Sequence, residues 1–207
     1  FIGYEWTPMS ERAYGPHRVV IFKDGAEQTN QVRPFSHYDS DNPVELWDYL
    51  EGYERKTSGE VMAIPHNGNL TRGVMFALQD FNGKPLNKAY VEARSRWEPL
   101  VEVTQIKGDS ETHPVLSPTD EFADFETWTL RLYDEAKDKV EKPGVNEKYE
   151  YARSALKLGL QQQAALGLNP FKFGMIGSTD AHTSLPAVAE NNFWGKMSIH
   201  EPNARRM

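Results

Sequence analysis

The chain has 207 residues, 39% of them hydrophobic, enough for one substantial core, and its net charge of -7 argues against a binder of nucleic-acid backbone while leaving room for a small anionic ester held by metal ions. It contains no cysteine, so disulfides and thiolate metal sites are excluded, and any metal must be held by His, Asp, Glu and water. No apolar run approaches the roughly 20 residues of a membrane span.

Phe1 to Trp6 reads as a short strand ending at Glu5, entered directly and without an initiating Met. The expectation is one domain over residues 1–207, an excerpt of a longer protein that is incomplete at both ends. His17 to Phe22 is a second strand, closed by the turn signal Lys23-Asp24-Gly25. Ala26 to Asp41 is polar and reads as loop. Asn42 then fits an N-cap with Pro43 at the first helical position, and Val44, Trp47 and Leu50 carry a helical period to about Lys56.

Val61 to Ile64 predicts a buried strand running straight into Pro65-His66-Asn67-Gly68-Asn69. A helix follows at Lys88 to Trp97, and an alternating strand at Leu100 to Ile106 leads to Lys107-Gly108-Asp109-Ser110-Glu111-Thr112-His113-Pro114. Asp120 to Val140 and Glu147 to Leu166 read as helices, separated by Pro143-Gly144, with Gly167 as the stop of the second. Phe171 to Ile176 reads as a buried strand feeding Gly177-Ser178-Thr179-Asp180-Ala181-His182. This alternation predicts an α/β fold with parallel strands, whose chemistry gathers where strands hand over to loops.

The residues at those handovers are of one chemical kind. Glu5, His66, His113, Asp180 and His182 offer nitrogen and carboxylate donors, a set suited to Mn, Zn or Fe with open positions for water. Such ions lower the pKa of bound water from about 16 to about 7 and share the charge of a phosphoryl group. Taken singly each residue has an ordinary explanation: a hydrogen-bonded loop histidine, an exposed carboxylate at a strand end, an Asp capping a turn. The acidic run Asp120, Glu121, Asp124 and Glu126 suits a solvated helix start. Their recurrence at successive strand ends is what favours a metal site. No Gly-x-Gly-x-x-Gly, Walker loop or Gly-x-Ser-x-Gly elbow is present, and Ser110 near His113 makes no triad by spacing.

Gly177-Ser178-Thr179-Asp180-Ala181-His182 resembles the Gly-Ser-Asp-Ala-His signature of the polymerase-and-histidinol-phosphatase (PHP) superfamily, with Thr179 inserted. The stretch Lys107 to Pro114, Ser117-Pro118-Thr119-Asp120-Glu121-Phe122-Ala123 and Asn192-Phe193-Trp194-Gly195-Lys196 are similar to the bacterial domain-of-unknown-function family 3604, which is regarded as PHP-like. The resemblance covers nearly the whole chain. It implies part of a distorted seven-stranded (β/α) TIM-like barrel with two or three divalent ions per complete site, and a bacterial cytoplasmic or periplasmic protein. It implies Glu5 as a bridging carboxylate, His66 and His113 as histidine ligands and Asp180 with His182 as the final Asp-x-His pair. Asp180, His182 and His113 would then carry the chemistry. His17 and Glu102 would make outer or substrate contacts, and Asn67, Asn69 and Arg72 would hydrogen-bond a small anionic substrate.

The superfamily's opening His-x-His pair has no counterpart here; its place would precede Phe1, so incomplete metal occupancy is expected of these residues alone. The implied activity is a metal-dependent hydrolase, first a phosphoesterase using metal-activated water. A C–N or C–O hydrolase of amidohydrolase type and a non-catalytic metal-binding module are the alternatives.

Overall fold

One alternating pattern gives the first sheet two different faces. In the computed structural model, which describes residues 1–9, 16–127, 146–182, 189 and 191, β1 (Ile2–Trp6), β2 (Arg18–Phe22) and β3 (Val61–Pro65) form an antiparallel sheet in that order. Successive side chains of a strand point to opposite faces. Trp6 pairs with Arg18 and Tyr4 with Val20, which pair in turn with Pro65 and Ala63; with Phe22 and Val61 they make the covered face. Gly3, Glu5, Val19, Ile21, Met62 and Ile64 make the other. A further backbone bond from His66 N to His17 O, 3.1 Å, extends the second face to the two histidines.

The covered face lies under α2 (Pro43–Thr57). This helix starts as the sequence predicts: Asn42 Oδ1 accepts from Val44 N at 3.1 Å, and Pro43 occupies the first turn. Leu46, Trp47, Leu50 and Tyr53 form its buried stripe, packed with Trp6, Val20, Phe22, Val61, Ala63 and Trp97. The polar stretch before it, expected as loop, contains one helical turn, α1 (Ala26–Thr29), closed by the Thr29 hydroxyl on the Gly25 carbonyl.

α3 (Lys88–Trp97) is capped by Asn87, whose Oδ1 accepts from Tyr90 N. It ends at Glu98 because Pro99 disfavours the helical conformation in the residue before it. The chain then enters a second sheet of β4 (Leu100–Gln105), β5 (Gly108–Asp109) and β6 (Gly174–Gly177), in the order β5-β4-β6, which lies beside β3. α4 (Ala152–Leu166) stops at Gly167, left-handed with φ 78° as the sequence predicts. The single helix expected from Glu147 is instead a 3-10 turn (Glu147–Tyr149), a break at Tyr151, and then α4. The break comes where Ala152 N and Arg153 N turn to the carbonyls of Ser110 and Glu111, so a neighbouring loop satisfies the donors of the helix start.

Parallel pairing, expected throughout, occurs among the described residues between β4 and β6 only; β1, β2 and β3 are antiparallel. A backbone bond from Lys23 N to Glu60 O, 2.9 Å, explains the second of these pairs. It brings the chain into β3 beside its exit from β2, so β3 must run back along it. Phe171 is buried with Met75, Phe76, Val101 and Ala155, but β6 itself is not a buried strand: Met175 is 49% exposed, since β6 pairs on one side only among the described residues. Among the described residues the two sheets do not close into a barrel. Residues 120–127 hold a run of turns at 121–126 and no helix, and the rest of the expected Asp120–Val140 helix lies outside the described residues, as does the Asn192–Lys196 motif. No helix among the described residues is long and apolar enough to cross a membrane.

Beneath the covered face sits an ionic network that no sequence pattern announces. Glu98, 4% exposed, accepts from Arg18 Nε at 2.9 Å and Trp47 Nε1 at 3.0 Å through Oε1, and Arg94 Nε stands 3.2 Å from Oε2. Arg94 also donates to the Met75 carbonyl and lies over the rings of Phe171 and Phe76. Burial alone would raise the Glu98 carboxyl; the two guanidinium charges and the bonds from Arg18 and Trp47 outweigh it and hold the group below its ordinary 4.5. Removing the carboxylate leaves two buried cations, so Glu98→Gln is expected to cost about 3–5 kcal/mol in urea unfolding at pH 7. Because the folded state binds this proton more weakly than the unfolded chain, the stabilisation is present above pH 4.5 and lost as pH falls below it. The variant should therefore lose stability less steeply on acidification; an unchanged stability or an unchanged acid slope contradicts this role.

Candidate metal centre

The strand ends converge because of the antiparallel sheet. Glu5 is near the end of β1, His66 follows β3, and β2 runs the other way, so His17 at its start arrives at the same edge. From the second sheet come Glu102 on β4, Lys107 in the turn to β5, and Asp180 with His182 beyond β6. β6 delivers its loop through the parallel ladder with β4, whose last bond, Ser178 N to Thr104 O at 3.0 Å, sets where Asp180 departs. Asp180 adopts a left-handed φ of 54°, which Asp tolerates better than most residues.

Glu5 divides the cluster between its two oxygens. Oε1 lies 2.6 Å from His17 Nδ1 and 3.1 Å from His66 Nε2; Oε2 lies 3.5 Å from His182 Nε2. The donor atoms fall into two sets, Glu5 with His17 and His66, and Glu5 with Asp180 and His182, each with its atoms within 4.8 Å of one another. Two ligands held about 2.1 Å from one ion at 90–109° stand about 3.0–3.4 Å apart, close to the His66 and His182 separations. The His17 contact is shorter, a hydrogen bond that a cation held by the same two residues would replace.

The tautomers sharpen the case. His182 Nδ1 lies 2.7 Å from the Asp180 carbonyl, which can only accept, so Nδ1 carries the proton. Nε2 is then the nitrogen turned toward the Glu5 carboxylate, 3.5 Å away, the side from which a neutral imidazole would offer its lone pair to a cation. An imidazole fixed through its other nitrogen in this way is the usual state of a metal-ligating histidine. His66 is 1% exposed, and its Nδ1 is buried with no hydrogen-bond partner among the described residues. The donor set thus fits a divalent cation: oxygen and nitrogen only, a shared carboxylate, and imidazole nitrogens turned toward it.

Burial and neighbouring charges compete at each titratable group of the cluster. Burial opposes ionisation of Glu5, but hydrogen bonds from His17 and His66 and the charges of both rings hold its carboxyl well below the usual range. Burial pushes His17 down, against the pull of Glu5, with the His66 and Lys107 charges adding to the fall, which favours the neutral ring. Burial pushes the Glu102 carboxyl up, against His66, its bond from Gln105 and Lys107.

The remaining sequence candidates separate in space. His113 belongs to neither donor set; its Nδ1 accepts from Val115 N and its ring lies 5.5 Å from that of Tyr151. Asn67 is buried at the cluster, accepting from Gln105 Nε2 at 2.8 Å, with its own Nδ2 3.3 Å from His17. Gln105 Nε2 also donates to Glu102 at 2.8 Å, a contact between residues three apart that the register shift after Glu102 permits. Asn69 spends both ends of its amide on Ser110 and the Lys107 carbonyl, so it braces the β4–β5 turn. Arg72 is exposed in the loop after His66, with φ 53°. Pattern reading missed Gln105 and Lys107, and the resemblance implies for His17 an outer or substrate contact. Lys107 Nζ lies 2.5 Å from Asp180 Oδ2.

No curated protein and no solved structure matches the chain. A family model described as "Protein of unknown function (DUF3604)" matches residues 1–207, the whole length, and the chain accordingly belongs to that family.

Proposed function

We propose that this chain forms the metal centre of a metal-dependent hydrolase, and specifically of a phosphoesterase. The observation that carries the reading is Glu5, whose two carboxylate oxygens face two different sets of imidazole and carboxylate donors. A carboxylate shared in that way suits a pair of divalent ions, which when bound would supply an acidified water and neutralise charge on phosphoryl oxygens. Glu5, His17 and His66 would hold one ion; Glu5, Asp180 and His182 the other.

The protein's own groups keep this set in order. The Asp180 carbonyl fixes the His182 ring with Nε2 toward Glu5, and Gln105 ties Glu102 and Asn67 to the same edge. Glu102, with its carboxyl raised by burial, is the group best suited to hold a proton at the rim of the cluster. Mn, Zn and Fe all accept such donors.

Two outcomes test the reading. The protein loaded with Mn²⁺ and dialysed should retain at least one ion per chain by elemental analysis, and Glu5→Ala should abolish retention with far-UV circular dichroism intact. Equal metal content in both proteins contradicts the site.

The loaded protein should also release phosphate from a small phosphomonoester. Chelator should stop this and Mn²⁺ or Zn²⁺ restore it. His182→Ala should lower kcat/KM by more than about 100-fold, beyond the 10–100-fold typical of losing an outer partner of a ligand. Full metal occupancy without turnover across an ester panel favours the non-catalytic module, and turnover of amides or carboxylic esters alone favours the C–N or C–O hydrolase.

A further inference from the structure

Lys107 belongs to neither donor set, yet the fold takes some trouble to place it. It is the second residue of the two-residue turn between Gln105 and Gly108, which pair across the β4–β5 hairpin. The turn is held from three sides. Gly108 closes it with φ 94°, in the left-handed region that glycine enters at little cost. Lys107 N approaches Gln105 Oε1 at 3.3 Å. Asn69 Nδ2 donates to the Lys107 carbonyl at 3.1 Å, and Asn69 is itself held by the Ser110 hydroxyl at 2.7 Å.

From this braced backbone the side chain reaches the cluster edge, 15% exposed, and its ammonium meets Asp180 Oδ2 at 2.5 Å. Its charge also acts on His17 and on Glu102, one from each sheet. An ammonium has three N–H donors and no acceptor, and Asp180 is its one ion-pair partner among the described residues. A positive charge beside metal ligands is costly when the site holds cations, because it repels them. Its presence makes sense if a further anion completes the site.

We propose that Lys107 is a substrate-binding residue that takes a non-bridging oxygen of an anionic phosphate ester next to the donor cluster. The assignment rests on the phosphoesterase reading and deepens it. It makes the site selective for a doubly charged phosphomonoester over a singly charged diester, because the ammonium contributes more against the larger charge.

The test uses Lys107→Met, which keeps an unbranched apolar stem and removes the ammonium, with Lys107→Arg as the charge-retaining control. Metal content, steady-state kinetics on p-nitrophenyl phosphate and on bis(p-nitrophenyl) phosphate, and inorganic phosphate binding by calorimetry are measured on Mn²⁺-loaded proteins. The expected result is a Lys107→Met protein that keeps its metal, with KM for the monoester and Kd for phosphate both raised about 10–100-fold. Its kcat should change far less, its diester KM should move less than its monoester KM, and Lys107→Arg should recover most of the loss. Unchanged KM and phosphate affinity with metal retained overturn the assignment while leaving the hydrolase reading intact. Loss of metal by a folded Lys107→Met also overturns it, since Lys107 would then act by positioning Asp180. A wild-type protein that takes up no metal sinks the hydrolase reading and this assignment with it.

Discussion

The carboxylate of Glu5 is the point on which the candidate centre depends. It reaches both sheets: Oε1 contacts histidines from the first, and Oε2 faces the loop that follows β6 of the second. A carboxylate can serve two such sets only if the group is ionised and neither oxygen is spent on backbone. Here the imidazoles around it supply the stabilisation that burial withholds. The remaining features follow from that shared anion. His182 must be tethered through Nδ1 to keep Nε2 toward it, and a lysine offsets the second carboxylate, Asp180.

The precision of this edge is set from the opposite face of the same strand. Arg18 and His17 are neighbours, and the pleat sends them to opposite sides of β2. Arg18 is locked beneath α2 and α3 by Glu98, with Trp47 and Arg94 completing the network. A buried ion cluster is a doubtful source of net stability, since desolvation consumes much of the attraction. Its geometry is restrictive, however, and the restriction is passed through one peptide unit to His17. The core and the centre are in this sense two sides of a single strand.

Much of this was legible in the sequence wherever local chemistry decides the outcome. Asn42-Pro43 starts α2, Asn87 caps α3, Gly167 ends α4, and the short apolar runs are strands. Glu5, His66, Asp180 and His182, named from their places at strand ends, are brought together. The misreadings were tertiary. Alternation of strands and helices suggests parallel pairing, which would place the start of β2 far from the ends of its neighbours, and the family resemblance gives His17 an outer or substrate contact. Antiparallel pairing reverses that strand and delivers His17 to Glu5. His113 shares the residue type and the strand-end position but not the place, because the chain has by then left β5 for the turns around Tyr151. Lys107 and Gln105 carry no signal without the hairpin that aims one and the register shift that turns the other.

The most direct measurement of the central claim is a crystal structure of the protein soaked in Mn²⁺, read by anomalous scattering. The account predicts anomalous density on both sides of the Glu5 carboxylate, one peak bounded by His17 and His66 and the other by Asp180 and His182. Saturating Mn²⁺ that leaves Glu5 hydrogen-bonded directly to His17 and His66, with the scattering elsewhere or absent, would contradict it.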